Sequence, residues 1–186
     1  MFLKFLAVLL VNILFLSGTF AGTDHADTCC KKCPPLWTRF QDNCYQFFGS
    51  VKSWSDAEAH CNGFFTDTAQ GHLVSIHSKA ESDFVYKLWH DSQLQSTQFT
   101  CTLSVTHYGA TPFNTIYLGL TDTAVEGVFA WTDGSPTDYA AWNSGQPDNY
   151  DGVEDCAIWE QTWWNDVPCG FSVLFPYVCK LKLDDN

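Results

Sequence analysis

Positive charge is scarce in this chain. Nine Lys and Arg stand against 21 Asp and Glu among 186 residues, a formal net charge of −12 at pH 7. A protein so acidic is repelled by phosphate backbones and anionic headgroups, which sets nucleic acid and anionic membranes aside as partners. No Asn-x-Ser/Thr sequon occurs, so N-glycosylation is not expected. Only one long apolar run is found, Phe5 to Leu16. It is too short for a spanning helix, so no membrane insertion is expected. The signatures of common catalytic and nucleotide sites (HExxH, GxSxG, P-loop, GxGxxG) are missing. His25, His60, His72, His77, His90 and His107 show no zinc spacing. Carboxylate pairs occur, yet nothing places one across a scissile bond, and an enzyme is not expected. Internal repeats and low-complexity tracts are also lacking.

What is present begins with a leader. Lys4 precedes the apolar run, and Thr19 and Ala21 are small enough for cleavage after Ala21. Residues 1–21 therefore read as a secretory signal, and the protein as secreted. All nine cysteines follow it. In a secreted chain they imply a disulfide framework. The remainder divides into a short polar arm, 22–32, carrying Cys29 and Cys30, and one domain, 33–182, long enough for a real core.

Along that domain, aromatics around Gln41-Asp42-Asn43 suggest a hairpin. Ser53 is a good N-cap with Asp56 three residues on, and Trp54, Ala57, Cys61 and Phe64 or Phe65 mark one helical face. Gly71 to Ile76 reads as a short strand. Ser78 caps a second helix with Glu81 at the box position and Phe84, Val85, Leu88 and Trp89 on its apolar face. Both helices read as scaffold. Gln93 to Asn114, with Cys101, reads as an irregular connection. TIYLGL, FAWTDGS, CAIWE, TWWNDV and FPYVCKL then read as strands. Helices first and strands later predict an α+β fold rather than a doubly wound sheet.

The stretch from Gly145 to Asp166 gathers side-chain oxygens: Gln146, Asp148, Glu154, Asn165 and Asp166. Ca²⁺ takes six to eight oxygens at roughly 2.3–2.6 Å, several of them charged. A cis Gln146–Pro147 bond would turn the first two donors the same way. The same stretch also reads as a polar surface loop of turn formers, Gly145, Pro147, Asp148, Asn149 and Gly152. Spacing alone does not decide between the two.

Taken in order, Gln146-Pro147-Asp148, Glu154-Asp155-Cys156, Trp164-Asn165-Asp166, Cys169 and Cys179 resemble the carbohydrate-recognition domain of C-type lectins. Cys61 in a helical pattern and Tyr117-Leu118-Gly119-Leu120, similar to the family's WIGL motif, extend the likeness over roughly residues 33–181. The resemblance implies the long form of that α+β domain, with bridges Cys33–Cys44, Cys61–Cys179 and Cys156–Cys169. It implies a principal Ca²⁺ site on Gln146, Asp148, Glu154, Asn165 and Asp166, where two neighbouring sugar hydroxyls replace water. The sugar would then meet Gln146, Asp148, Tyr150, Glu154 and Asn165.

The family's mannose binders carry Glu-Pro-Asn at this point and its galactose binders Gln-Pro-Asp. The resemblance therefore implies terminal galactose or N-acetylgalactosamine as ligand, and microbial recognition as a role. Tyr150 stands where galactose-binding relatives place a Trp against the sugar; it also reads as an exposed loop aromatic. The glycine-rich loop that holds that Trp in several relatives is reduced here to Gly152. Asp122, Glu126, Asn149 and Asp155 match an auxiliary calcium site, with Asn149 replacing the usual Asp. Trp131, Trp142 and Trp164 lie in strand patterns and read as core. Cys29, Cys30 and Cys101 remain over, and the odd remainder suggests a homo-oligomer linked through Cys29 and Cys30. The rival reading is an acidic structural protein of the same fold that binds mineral or ice.

Overall fold

The structure, a computed structural model, describes residues 32–98, 114–170 and 172–184, with side chains of 94–98 excepted. The expected signal segment and Cys29, Cys30 and Cys101 lie outside these residues. The hairpin forms between β1 (Thr38–Phe40) and β2 (Asn43–Lys52). Gln41 takes a φ of 53° in its turn, and Phe40 pairs with Asn43. Helix α1 (Trp54–Cys61) starts at Ser53, whose side chain accepts from the Asp56 N–H. It ends before Phe64, which packs on the core from the following turn, while Phe65 is 78% exposed. Of the two, only Phe64 is a core residue.

Strand β3 is confined to His72–Leu73. Helix α2 (Lys79–Gln98) begins after Ser78, whose hydroxyl accepts from the Glu81 N–H. It runs well into the segment expected to be irregular, because no Gly or Pro interrupts 79–98. The remaining strands are β4 (Thr115–Thr121), β5 (Ala130–Trp131), β6 (Cys156–Glu160), β7 (Trp163–Val167) and β8 (Phe175–Lys182). Strand β5 keeps only two residues of the FAWTDGS pattern, since Asp133 turns the chain by accepting from the Ser135 N–H.

The sheet runs β1-β2-β8-β4-β6-β7, with β3 on β8 and β5 on β4. All pairs are antiparallel except β4 with β8, so the sheet is mixed. Side chains alternate between two apolar clusters. Ile116, Leu118, Leu120, Ala157, Trp159 and Val178 pack with Val85 and Trp89 of α2. Tyr117, Ile158, Tyr177 and Cys179 pack with Ala57 and Cys61 of α1. Helices thus cover both clusters, which is why β4 reads as a continuous apolar run. Gly119 in β4 is a close-approach position: a Cβ there would lie 2.5 Å from the Leu73 carbonyl oxygen.

Three disulfides fasten this frame. Cys33–Cys44 ties the entering chain to β2, Cys61–Cys179 ties α1 to β8, and Cys156–Cys169 ties β6 to the turn after β7. These are the pairs the family resemblance implied.

Candidate carbohydrate-binding site

The chain leaves the sheet after β5 and returns at β6, and the site is built in that excursion and on β7. Gly145, Asn149, Asp151 and Gly152 all take positive φ, so the backbone here is a succession of tight turns. The Gln146–Pro147 peptide is cis. β7 pairs with β6 throughout, Ile158 opposite Asn165 and Ala157 opposite Asp166. Asp166 is wholly buried. Its carboxylate accepts from the Asp148 N–H at 3.2 Å and the Asn149 N–H at 2.8 Å, which fixes the loop on the strand. Glu154 accepts from the Tyr150 N–H at 2.9 Å, and its own N–H donates to the Asn149 side-chain oxygen at 3.1 Å.

These contacts bring three carboxylates together. Ligand oxygens of Asp148, Glu154 and Asp166 lie within 4.8 Å of one another. Burial, reinforced by the charges of Asp166 and Asp148, holds the Glu154 carboxyl above its ordinary value, against the pull of the Tyr150 N–H. Beside them Gln146 holds its Oε1 buried and without a hydrogen-bond partner. A buried acceptor left unmet costs about 1–3 kcal/mol, so it points to a cation or donor it would serve. Three converging carboxylates and one free amide oxygen form a hard, oxygen-rich donor set that suits Ca²⁺. Asn165 adjoins it on β7.

The four auxiliary-site residues are disposed differently. Asp122 is buried; one of its oxygens accepts from the Gly127 N–H at 2.8 Å, and the other has no partner. Asn149 donates to Glu126 at 2.5 Å. The Asp155 carbonyl accepts from the Asp122 N–H at 3.2 Å. Among the described residues, the acidic cluster within 4.8 Å is Asp148, Glu154 and Asp166; Asp122, Glu126 and Asp155 do not form another. Tyr150 is 66% exposed at the loop's tip. Trp131 and Trp164 are buried and meet edge to face at 5.7 Å, while the partly buried Trp142 packs on Trp164 at 5.9 Å. Trp142 and Trp164 line, with Pro147, a cleft of about 280 Å³.

Sequence reasoning missed the backbone donors of Asp148 and Asn149. Residue type carries no sign of them, and Asp166 is 17 and 18 residues away. It also missed a Ser-His-Asp chain: the Ser75 hydroxyl lies 3.1 Å from His77 Nε2, and His77 Nδ1 lies 2.9 Å from Asp138. That order resembles a nucleophile, base and orienting acid. However, Ser75 is fully buried, donates to Asp133 at 2.5 Å and accepts from Lys180 at 3.0 Å. Its hydroxyl is committed and unreachable, so the chain is a structural network.

Comparison with known proteins decides the family. The Lectin C-type domain family matches residues 50–181. The chain belongs to the C-type lectin family. This C-type lectin is 38% identical to echinoidin of Heliocidaris crassispina over 159 residues, covering 81% of this chain and 97% of that one. It is 39% identical to the alpha-N-acetylgalactosamine-specific lectin of Patiria pectinifera over 172 residues, 88% of this chain and 90% of that one. The crystal structure of the C-type lectin CEL-I from Cucumaria echinata superposes with a TM-score of 0.67 at 32% identity, covering 82% of this chain and 99% of that chain. The family is a class of carbohydrate-binding, non-enzymatic proteins. Among the described residues no helix is long and apolar enough to cross a membrane.

Proposed function

We propose that this C-type lectin is secreted and binds terminal galactose or N-acetylgalactosamine in a calcium-dependent manner. The observation that carries the reading is the convergence of Asp148, Glu154 and Asp166 beside the unpartnered Gln146 oxygen. Gln146, Asp148, Glu154, Asn165 and Asp166 would hold the ion. Bound calcium supplies a hard Lewis-acid centre at which two neighbouring sugar hydroxyls replace water. The chain's own residues make the selection. The Gln146 amide can donate, whereas the Asp148 carboxylate only accepts. Galactose presents an axial 4-hydroxyl beside an equatorial 3-hydroxyl, and mannose two equatorial ones, so the order of donor and acceptor along the loop distinguishes them.

Tyr150, exposed to solvent, would cover the apolar face of galactose. The relative from Patiria pectinifera, named as an N-acetylgalactosamine-specific lectin, supports the same sugar class. Asp122, Glu126, Asn149 and Asp155 are proposed as an auxiliary calcium site. Linkage of chains through Cys29 and Cys30 would multiply weak single-site binding, and recognition of microbial surfaces is the proposed role. A complete oxygen-donor set favours this over mineral or ice binding.

Competition assays test the selecting residues. Gln146→Glu with Asp148→Asn keeps the net charge and the oxygen donors while reversing their order. Preference should move from galactose towards mannose by roughly ten- to hundredfold, the worth of one unmet polar group at about 1–3 kcal/mol. Tyr150→Ala should weaken galactose more than mannose. A double variant that still prefers galactose would place selection in another loop.

A further inference from the structure

We propose that a polar pocket at one corner of the sheet binds a tetrahedral oxyanion of the sulfate type. The pocket, of about 440 Å³, is lined by Asn43, His72, His77, Asp133, Lys180 and Lys182 among others. It shares no residue with the proposed sugar site.

Strand register gathers its donors. Lys180 pairs with Tyr45 of β2 on one side and with His72 of β3 on the other, and Lys182 pairs with Asn43. Residues directly paired share a sheet face, as do residues two apart on one strand. Asn43, His72, Lys180 and Lys182 therefore stand on one face of three adjoining strands. The opposite face of this corner carries Cys44, Leu73, Cys179 and Leu181 in the core. Two of the nine Lys and Arg of a chain at −12 thus meet here.

Hydrogen bonding gives the sign of the ligand. The carboxylates in and behind the wall are already met from within. Asp133 accepts from the Ser75 hydroxyl on one oxygen and from the Ser135 N–H and hydroxyl on the other. Glu81 accepts from Tyr45, Lys180 and the His77 N–H. Both ring nitrogens of His77 are occupied, by Asp138 and Ser75. His72 differs: its Nδ1 meets Glu58 at 2.6 Å, and its Nε2 has no partner among the described residues. The Asn43 amide makes no side-chain hydrogen bond to a described residue either. Lys182 stands exposed at the rim. Saturated acceptors and outward donors suit an anion. Four tetrahedral oxygens can meet donors from three strands, which a planar carboxylate does less well.

His72 makes the binding pH-dependent. The Glu58 hydrogen bond, helped by the charges of Glu58 and Asp133, holds its ring above the ordinary value against burial. The charged and titratable groups around it are Glu58 of α1, Asp133 beyond β5, Lys180 and Lys182 of β8, and His77. Protonated, its Nε2–H donates to the anion. Neutral, with the proton kept on Nδ1 for Glu58, Nε2 is an acceptor and repels it. Binding is thus present at low pH and lost as pH rises through the raised value.

The test titrates the full chain with sodium sulfate in millimolar calcium at constant ionic strength, following the His72 ring by NMR. A saturable shift with a millimolar Kd is expected at pH 6, weakened at least about fivefold at pH 8.5. Lys182→Glu and Asn43→Asp should each weaken it about tenfold, the effect of losing one charge-assisted hydrogen bond. Lys87→Glu, the same charge change on α2, should leave it unchanged. N-acetylglucosamine 6-sulfate separates the sources: tighter binding than inorganic sulfate marks a sulfated glycan, and equal binding marks the free ion. Retention on galactose should not change in any variant, so this proposal and the sugar reading fail separately. No saturable shift up to about 50 mM sulfate at pH 6 overturns the proposal. Equal affinity at the two pH values overturns it too, as does a Lys87→Glu chain weakened as much as Lys182→Glu, since long-range charge alone would then act.

Discussion

Asn149 shows how much one side chain decides at this site. It stands in a left-handed turn, accepts from the Glu154 N–H and donates to Glu126. An Asp there keeps the first contact and loses the second, since a carboxylate cannot donate. It also sets a third negative charge between Glu126 and Glu154. Asn149→Asp should therefore lower the thermal midpoint in EDTA and regain it at millimolar calcium, as a bound cation stabilises the form that holds it. Scanning calorimetry with and without calcium checks this; a midpoint equally low in both would remove the cation from the explanation. The proposed donors Gln146, Asp148, Glu154, Asn165 and Asp166 stand out in the sequence as oxygen-bearing residues in a recurrent order, and the structure brings the carboxylates of Asp148, Glu154 and Asp166 together. What gathers them was not legible. Asp166 is positioned by main-chain donors, and main-chain groups leave no trace in residue type.

The elements were legible where a local signal sets them. Ser53 and Ser78 cap the two helices as expected, and β6 matches CAIWE residue for residue. They were not where distant groups prevail. Glu58 of α1 is one such case. It bonds to His72 at 2.6 Å, the Leu73 N–H at 2.8 Å, Asn62 at 2.8 Å and Thr132 at 3.2 Å, so a single carboxylate joins α1 to β3 and to the strand-end beyond β5. Burial works against its ionised form, but the bonds from His72, Leu73 and Asn62 prevail and hold it below the ordinary value. The same bond, against some burial, holds His72 above its own.

The stabilisation Glu58 gives is present above its unfolded pKa and is lost as pH falls through the depressed folded value. That of His72 is present below its unfolded pKa and is lost as pH rises through the raised folded value. The pair is thus strongest between about pH 4.5 and 6.5. Glu58→Gln should cost about 1–3 kcal/mol near pH 5.5 in urea unfolding, with the difference from the parent shrinking at pH 3 and pH 9. A difference that does not vary with pH would rule out the charged pair.

At the scale of the molecule, a mixed sheet between two helices and three disulfides makes a rigid base from which an irregular loop projects. The Cys61–Cys179 bridge and the parallel contact of β4 with β8 join residues dozens of positions apart. Periodicity cannot see such contacts, and only the family likeness brought the pairing within reach. The loop concentrates Asp148, Glu154 and Asp166 in a protein already at −12. If these carboxylates hold calcium as proposed, protons would compete with it for them. Since burial holds the Glu154 carboxyl above its ordinary value, sugar binding should fade on acidification, and added calcium should restore it. A pH profile indifferent to calcium concentration would argue against that competition.

The central claim is that a calcium-organised loop holds galactose, and retention on immobilised galactose tests it most directly. The protein should bind galactose-agarose in millimolar calcium, elute with EDTA, and bind again when calcium is returned. Retention that persists in excess EDTA, or no retention in saturating calcium, would contradict the account.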